Sequence, residues 1–169
     1  MSLYLILSLQ VTSAKWMNNT VILAIDATPL IAYTLYSDLT QQSTWSPWLT
    51  SVQVLDTKTG FSKWTISKLG LSYSWSAQFA DCKAGHSEVD RHVMCWESLD
   101  GLPNRGRVDF YIDSNNKSIM VLNVAYDIPS IAAFLLEGLG TIGERFIENT
   151  LLSDLHRFNE RLKKVCLAI

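Results

Sequence analysis

The sequence has few charged residues and no excess of positive charge. Only 18% of its 169 residues are charged, with 14 Lys and Arg against 16 Asp and Glu, and the formal net charge is −2. Globular domains average about a quarter charged residues, so a thinly charged surface is expected, which suits an apolar ligand or a partner protein. Nucleic-acid binding needs clustered Lys and Arg. The composition therefore argues against a nucleic-acid partner.

Motifs for catalysis and for metal binding are also missing. His86, His92 and His156 lie in no G-x-S-x-G or H-E-x-x-H pattern, and the chain has no glycine-rich phosphate loop. We therefore predict no catalytic constellation, no metal site and no cofactor other than a hydrophobic ligand of unknown identity. His92 is the histidine that we expect to face inward, and a structural role is the simpler interpretation of it.

Cysteine is scarce, and its spacing carries no motif. Cys82, Cys95 and Cys166 are an odd number and form no C-x-x-C pair. This pattern is typical of a reducing compartment and predicts neither a metal site nor a disulfide framework. We expect each cysteine to behave as a small apolar side chain.

Linkers, repeats and long apolar runs are absent as well. The apolar run at residues 3–9 is too short to span a bilayer, and no basic residues precede it as they would in a signal peptide. We predict an N-terminal extension, residues 1–17, for which an extra strand, a docking segment and a shortened start are all open. Residues 18–165 are predicted to form a single domain.

Apolar and aromatic side chains are what the sequence has in abundance. Hydrophobic residues make up 48% of the chain, which includes 6 Trp, 6 Tyr and 6 Phe. That much ring surface must either be buried in a core or be covered by a ligand.

Periodicity predicts the order strand, two short helices, about six antiparallel strands and one long helix. Thr28 followed by Pro29 is typical of a helix start, and a second short helix is expected from near Asp38. Strict alternation over residues 71–79 predicts a strand with one buried face. Residues 101–106 are predicted to form a loop, with both of its glycines supplying turn conformations.

The last predicted element is the longest, from Pro129 to about Lys164. Its apolar residues recur at helical spacing, and at about 1.5 Å per residue the helix would be roughly 50 Å long. Antiparallel hairpins in succession form a sheet that curls, and only a long amphipathic helix can cover its concave face. Such a helix touches the sheet along a line, so we expect a pocket beside that line.

Several short motifs carry a family resemblance. They are Asp26-Ala27-Thr28-Pro29, Tyr36-Ser37-Asp38, Trp45-Ser46-Pro47-Trp48, the central run from Trp96 to Phe110, Tyr126-Asp127-Ile128-Pro129, and Asp154-Leu155-His156-Arg157-Phe158. In their order and spacing the chain resembles the START-like polyketide cyclase/dehydrase family, which includes the coenzyme Q-binding proteins, over about Asn19 to Leu162. The resemblance implies an α+β helix-grip fold, related to the birch-pollen allergen, with about seven strands wrapped on a C-terminal helix.

The resemblance implies a carrier or chaperone for an apolar small molecule such as a quinone, isoprenoid, pigment or lipid. One alternative is an aromatase/cyclase in which Arg105 or His92 polarises a carbonyl. Another is an assembly factor or auxiliary subunit of a membrane complex, docking through residues 1–17, Trp45 and Trp48. The resemblance also implies an organelle, a plastid first and a mitochondrion next, although no Ser- and Arg-rich transit peptide is seen in the sequence.

Three groups of residues are the candidate site. Those predicted to line the pocket are Trp75, Phe79, Trp96, Phe110, Leu122, Tyr126, Phe134, Leu135, Ile142 and Phe146, and a solid core of the same residues is the alternative. We predict Glu97, Asn104 and Arg105 at the cavity mouth, unless Glu97 and Arg105 form an exposed ion pair.

A gate or docking tip is predicted at Trp45, Trp48 and Leu49, with core packing of the tryptophans as the alternative. Basic residues cluster near the end of the last helix, at Arg157, Arg161, Lys163 and Lys164. We favour their pairing with the helix dipole over binding of lipid headgroups.

Overall fold

The computed structural model describes residues 16–68, 70–82, 90–127 and 144–168. In these ranges the helices are α1 (Pro29–Ser37), a 3₁₀ helix (Leu39–Thr44) and α2 (Glu144–Cys166). The strands are β1 (Met17–Ala24), β2 (Ser51–Asp56), β3 (Phe61–Lys68), β4 (Leu71–Phe79), β5 (His92–Ser98), β6 (Asn104–Ile112) and β7 (Ser118–Tyr126).

Seven strands form one curved antiparallel sheet. Their order is β1-β7-β6-β5-β4-β3-β2, so strands β2 to β7 follow one another as a meander and β1 adds to the β7 edge. The two short helices come directly after β1, and α2 is the C-terminal helix. The predicted α+β helix-grip fold is confirmed. None of the helices in the described ranges has the length and apolar character needed to cross a membrane.

The two short helices begin where local sequence signals place them. The Thr28 side chain accepts a hydrogen bond from the Ile31 backbone N–H at 3.4 Å, and Pro29 is the first helical residue. Asp38 ends α1 and also caps the 3₁₀ helix, since its carboxylate accepts from the Thr40 N–H at 3.2 Å. Both predicted starts are therefore confirmed.

Helix α2 buries one stripe of apolar side chains against the sheet. Leu155, Phe158 and Leu162 are each at most 1% exposed and recur at the spacing of one helix face. The Asn159 amide holds the chain just after β1, because it donates to the Asp26 carboxylate at 2.8 Å and accepts from the Asp26 N–H at 2.9 Å. These contacts fix α2 over the β1 end of the sheet.

Much of the basic cluster on α2 is used within the protein. Arg157 donates to the Trp45 carbonyl at 2.8 Å, and Arg161 donates to the Gln41 side chain at 2.7 Å. Lys163 forms ion pairs with Asp26 and Glu160. Arg157 and Arg161 therefore tie α2 to the segment around the 3₁₀ helix.

The prediction that cysteine forms no disulfide is wrong. Cys82 and Cys95 are joined by a disulfide, with their Cα atoms 5.5 Å apart, and Cys166 is free and half-buried. The Ala80 N–H donates to the Cys95 carbonyl at 2.9 Å, which brings the residues after β4 alongside β5. The two cysteines are 13 residues apart in the sequence. Their pairing could not be predicted from that spacing, because it depends on the register between β4 and β5.

The predicted loop at residues 101–106 is also partly wrong. Strand β6 already begins at Asn104, and Gly106 pairs with Trp96 of β5. Gly101 has a positive φ of 66°, so it does supply a turn conformation. Gly106 serves another purpose, because a Cβ there would fall within the Trp96 indole ring.

A cavity between the sheet and the C-terminal helix

A cavity of ≈ 450 Å³ lies on the concave side of the sheet. Its walls come from strands β3 to β7, from the segment 45–50 after the 3₁₀ helix, and from the part of α2 around Leu151. Cavities of about 300–1,000 Å³ hold typical small organic ligands. The rings in the lining are Tyr36, Trp45, Trp48, Trp64, Trp75, Phe79, Trp96 and Tyr126.

Half of the predicted pocket residues lie in this lining. They are Trp75, Phe79, Trp96, Leu122 and Tyr126. Phe134, Leu135 and Ile142 lie outside the described residues, and so does the side chain of Phe146. A ligand contact by any of these residues stays a prediction.

The placement of Phe110 in the pocket is wrong. Its side chain is 0% exposed and packs edge to face against Tyr36, at 5.8 Å between ring centroids. It also meets Tyr33 edge to face at 6.4 Å. Tyr33 and Tyr36 belong to α1, so that helix fills the space over Phe110 and leaves no room for a ligand there.

Three tryptophans form a nearly parallel stack in the cavity wall. The Trp48 and Trp75 rings are tilted by 9° with centroids 6.5 Å apart, and the Trp64 and Trp75 rings are tilted by 18° with centroids 6.1 Å apart. Trp64 and Trp75 are paired residues of adjacent strands. Such cross-strand neighbours on one face of a sheet come within contact distance. We call these three residues the tryptophan stack.

Glycine makes room for two other rings of the lining. A Cβ on Gly106 would overlap the Trp96 indole, and a Cβ on Gly60 would overlap the Phe79 ring. Each ring can therefore lie against backbone, where a larger residue would push it away. Neither contact was predicted from the sequence, because Gly106 was expected to be a turn residue of the loop 101–106.

The predicted gate residues have distinct environments. Trp45 is 1% exposed and Leu49 is 5% exposed, so both are buried, whereas Trp48 is half-buried. Trp45 stacks with Tyr36 at 6.1 Å and meets Phe158 edge to face at 5.1 Å. Trp45 is thus packed among core rings, and a gating or docking role for it stays a prediction. All three predicted gate residues contribute to the cavity lining.

Asp154 of α2 is a buried carboxylate in the cavity wall that sequence reasoning did not select. It accepts hydrogen bonds from the Trp48 indole N–H at 2.7 Å and from Arg157 at 2.5 Å. Burial raises the pKa of its carboxyl, and this effect exceeds the lowering by hydrogen bonds from Ser46, Trp48 and Arg157. The residue thus anchors one ring of the tryptophan stack to α2. An Asp beside the apolar stripe, three residues before an Arg, was the available signal.

Of the predicted mouth residues, Asn104 alone lines the cavity. It accepts from the Trp96 indole N–H at 3.2 Å and donates to the Leu102 carbonyl at 2.8 Å. Glu97 and Arg105 lie on the outer face, so their placement at the mouth is wrong. The reason is the alternation of side chains along a strand, which turns Glu97 away from Trp96 and Arg105 away from Asn104.

The residues proposed for carbonyl activation are likewise outside the lining. The Arg105 guanidinium lies 5.1 Å from the centroid of the Trp16 ring on the outer face. His92 contacts the Tyr33 ring at 5.4 Å, under α1. Within the described ranges, no three His, Cys, Asp or Glu side chains are grouped so that they could hold a metal ion.

The curved sheet, the helix over it and the intervening cavity define a START-like helix-grip protein. The chain belongs to the family described as polyketide cyclase/dehydrase and lipid transport, whose model matches residues 25–150. No curated protein matches the chain closely enough to count as a relative.

Solved structures of three proteins illustrate the range of this fold. The Zhui aromatase/cyclase from a Streptomyces species is 12% identical, with 89% of this chain and 95% of that chain covered and a TM-score of 0.63. A START superfamily protein of Mycobacterium smegmatis is 10% identical over 89% and 98%, with a TM-score of 0.62. A major latex-like protein of Panax ginseng is 9% identical over 86% and 97%, with a TM-score of 0.58. At these identities the similarity shows the fold alone.

Proposed function

We propose that the protein binds an apolar small molecule in the cavity and acts as its carrier or chaperone. A quinone, an isoprenoid, a pigment or an acyl lipid would fit this description. The family description includes lipid transport, which supports the proposal.

The cavity itself is the observation that carries the proposal. Its volume of ≈ 450 Å³ suits a molecule of moderate size, and its lining is dominated by aromatic and aliphatic side chains. Protein interiors are normally packed to the density of organic crystals, with few voids larger than one water molecule. A cavity of this size is therefore expected to serve a ligand.

Organic extraction of the purified full-length protein tests this proposal directly. We expect mass spectrometry of the extract to identify an apolar molecule in roughly equimolar amount. Added ligand should also raise the unfolding midpoint. At a ligand concentration of one hundred times Kd, the free energy of unfolding should increase by about 2.7 kcal/mol. An empty extract, together with no midpoint shift from quinones, isoprenoids or acyl lipids, would contradict the proposal.

An aromatase/cyclase is the second candidate function. Asp154 is the observation that favours it, because a buried carboxyl with a raised pKa in a cavity is a group that can transfer protons. Both carboxylate oxygens already accept hydrogen bonds from the protein, which favours a structural role instead. Turnover of a polyketide-like substrate that is lost in Asp154→Asn, with the fold retained, would support catalysis.

A role as an assembly factor of a membrane complex is the third candidate, and a plastid location is proposed with it on the resemblance. Trp45 is 1% exposed, so the docking surface for this role would have to come mainly from residues 1–17. Co-sedimentation with plastid membranes that is lost on deletion of residues 1–17 would support it. A protein that stays in the supernatant with or without these residues would argue against it.

A further inference from the structure

The core of the described residues divides into two hydrophobic clusters. The larger cluster contains the buried stripe of α2 and, from the segment after the 3₁₀ helix, Trp45. The smaller cluster is built around Trp75 and includes Trp48 and Leu49. Both clusters contribute residues to the cavity lining. The boundary between them therefore runs between Trp45 and Trp48, beside the cavity.

Polar contacts join α2 to the smaller cluster across this boundary. In the described ranges α2 packs mainly against β1 and α1, which carry residues of the larger cluster. On the other side, the Asp154 carboxylate accepts from the Trp48 indole N–H at 2.7 Å and from the Ser46 hydroxyl. We call this contact between Asp154 and residues 46–49 the polar seam.

The polar seam reaches both the solvent and the cavity. Asp154 lines the cavity and its side chain is 6% exposed, whereas the side chain of its partner Arg157 is 46% exposed. Pro47 and Thr50 are exposed at the surface and also belong to the cavity lining. A thin layer of side chains therefore separates water from the cavity along this line.

Fixed points lie at either end of residues 46–49. Before them, the Trp45 carbonyl accepts from Arg157 of α2 at 2.8 Å. After them, the Thr50 N–H donates to the Thr65 carbonyl of β3 at 2.8 Å. The chain thus passes from α2 to the sheet within a few residues, so an opening between α2 and this segment is short and has defined ends.

Opening the polar seam requires less than separating the strands of the wall. Residues 46–49 belong to neither a helix nor a strand, whereas β3 pairs with β4, and β6 with β7, along their lengths. When the seam separates, water can replace the protein partners of Asp154 and Trp48, so the net cost is a fraction of the strength of these bonds. Local opening at such points is more frequent than global unfolding.

We infer that ligands enter and leave the cavity between α2 and residues 46–49, and that the hydrogen bonds from Ser46 and Trp48 to Asp154 latch this entrance. The inference rests on the proposed function, since it presumes that the cavity exchanges a small molecule with solvent. Asp154 is then a positioning residue, which determines how often the entrance opens. Loss of the latch raises the rate constants of binding and release by the same factor, so Kd changes little.

Stopped-flow fluorescence with N-phenyl-1-naphthylamine, a neutral apolar probe, tests this entrance in the full-length protein. Trp48→Phe keeps a ring but removes the N–H that donates to Asp154, and Asp154→Ala removes the acceptor of both hydrogen bonds. A hydrogen bond to a charged group corresponds to about a factor of ten in an equilibrium. Each variant should therefore raise both rate constants about tenfold and change Kd less than about threefold, and either one serves if the other does not fold.

Asn159→Ala is the matched control on the same helix. It also removes two polar contacts of α2, those with Asp26 at 2.8 and 2.9 Å, and neither residue belongs to the cavity lining. It should lower stability and leave both rate constants unchanged. The double variant Trp48→Phe/Asp154→Ala should be no faster than Asp154→Ala, since both substitutions remove the same hydrogen bond.

The outcomes separate this inference from the proposed function. Probe binding with wild-type rate constants in both variants would overturn the entrance and leave a carrier of apolar molecules intact. Equal acceleration in Asn159→Ala would show that exchange follows overall stability, which contradicts a local entrance. A weaker Kd with an unchanged binding rate constant would show that Asp154 holds the ligand instead. Failure of the wild type to bind the probe would overturn the proposed function and this inference together.

Discussion

The two ends of the concave face use the same kinds of side chain and differ in packing. Under α1, the rings of Phe110 and Phe158 each meet Tyr36 edge to face, and both are 0% exposed and lie outside the cavity lining. At the β3–β4 end, Trp64 and Trp75 lie nearly parallel in the wall of a cavity. Aromatic content therefore does not distinguish a solid core from a ligand site.

The difference follows from what covers each end. Tyr36 of α1 packs edge to face on both Phe110 of the sheet and Phe158 of α2, and rings at such large angles interlock so that little space remains. At the other end Trp48 stacks on Trp75, and the cavity lies beside these rings. The geometry of the covering elements, more than the residue types on the sheet, determines where the cavity lies.

The largest expected effect comes from breaking the solid end. Phe158→Ala should lower the free energy of unfolding by about 3–5 kcal/mol, because it removes a fully buried ring and leaves a void. Trp64→Ala at the cavity end should cost less than half as much, since that ring is half-buried beside existing space. Urea denaturation measures both values, and equal losses would show that the two ends are packed alike.

Overfilling the cavity wall should have the next largest effect. Gly106→Ala places a methyl group within the Trp96 ring, so we expect a loss of about 1–3 kcal/mol and weaker ligand binding. In a Trp96→Leu background the same substitution should be nearly neutral, because the clashing atoms are gone. Urea denaturation of this double-mutant cycle tests the contact, and an undiminished loss would contradict it.

Two buried carboxylates, those of Asp109 and Asp154, should affect stability with opposite dependence on pH. Burial raises the pKa of Asp109, but its hydrogen bonds with Arg107 and Arg91 outweigh burial and hold the pKa below its ordinary value of 3.8. The ionised Asp109 carboxylate therefore stabilises the folded protein above pH 3.8, and this stabilisation is lost as the pH falls through the lowered pKa. Asp154 has a raised pKa, so its native form binds extra protons and stability falls as pH rises from 3.8 through the raised pKa.

Urea denaturation of Asp109→Asn and Asp154→Asn between acidic and neutral pH measures this contrast. The stability of the wild type relative to Asp109→Asn should increase as pH rises, and its stability relative to Asp154→Asn should decrease. Parallel pH profiles for the two variants would contradict the assignment of opposite environments.

The smallest effect is expected on the outer face. Arg105→Ala removes an exposed cation over the Trp16 ring, worth about 0.5–1 kcal/mol at most. It should leave the affinity for an apolar ligand in the cavity unchanged, because Arg105 points away from the cavity. A marked loss of affinity on calorimetric titration would restore Arg105 to the site.

Local patterns predicted most of the architecture. The Thr28-Pro29 pair placed the start of α1, and the alternation of residues 71–79 identified β4 with the correct bounds. The same alternation puts Asn104 and Arg105 on opposite faces of β6, but both were predicted at one cavity mouth because residues 101–106 were expected to form a loop. The start of β6 was assigned to a loop, and the predicted side-chain directions of Asn104 and Arg105 were wrong for that reason.

The candidate site was predicted less completely. Phe110 and Trp75 both sit on strands with inward-facing apolar residues, and the sequence contains nothing that makes one core and the other cavity wall. Asp154 acquires its role only through Trp48, which lies 106 positions away in sequence and donates to it at 2.7 Å. The disulfide between Cys82 and Cys95 likewise depends on strand register.

By itself the sequence determined the order of elements, the starts of the short helices and the inward-facing residues of the strands that were assigned correctly, because periods of two and of 3.6 are properties of neighbouring residues. The tertiary structure alone decided which inward-facing rings interlock and which surround empty space. That choice depends on the angle between rings from distant elements and on whether a helix lies over them. The cavity is therefore a property of the packing between elements.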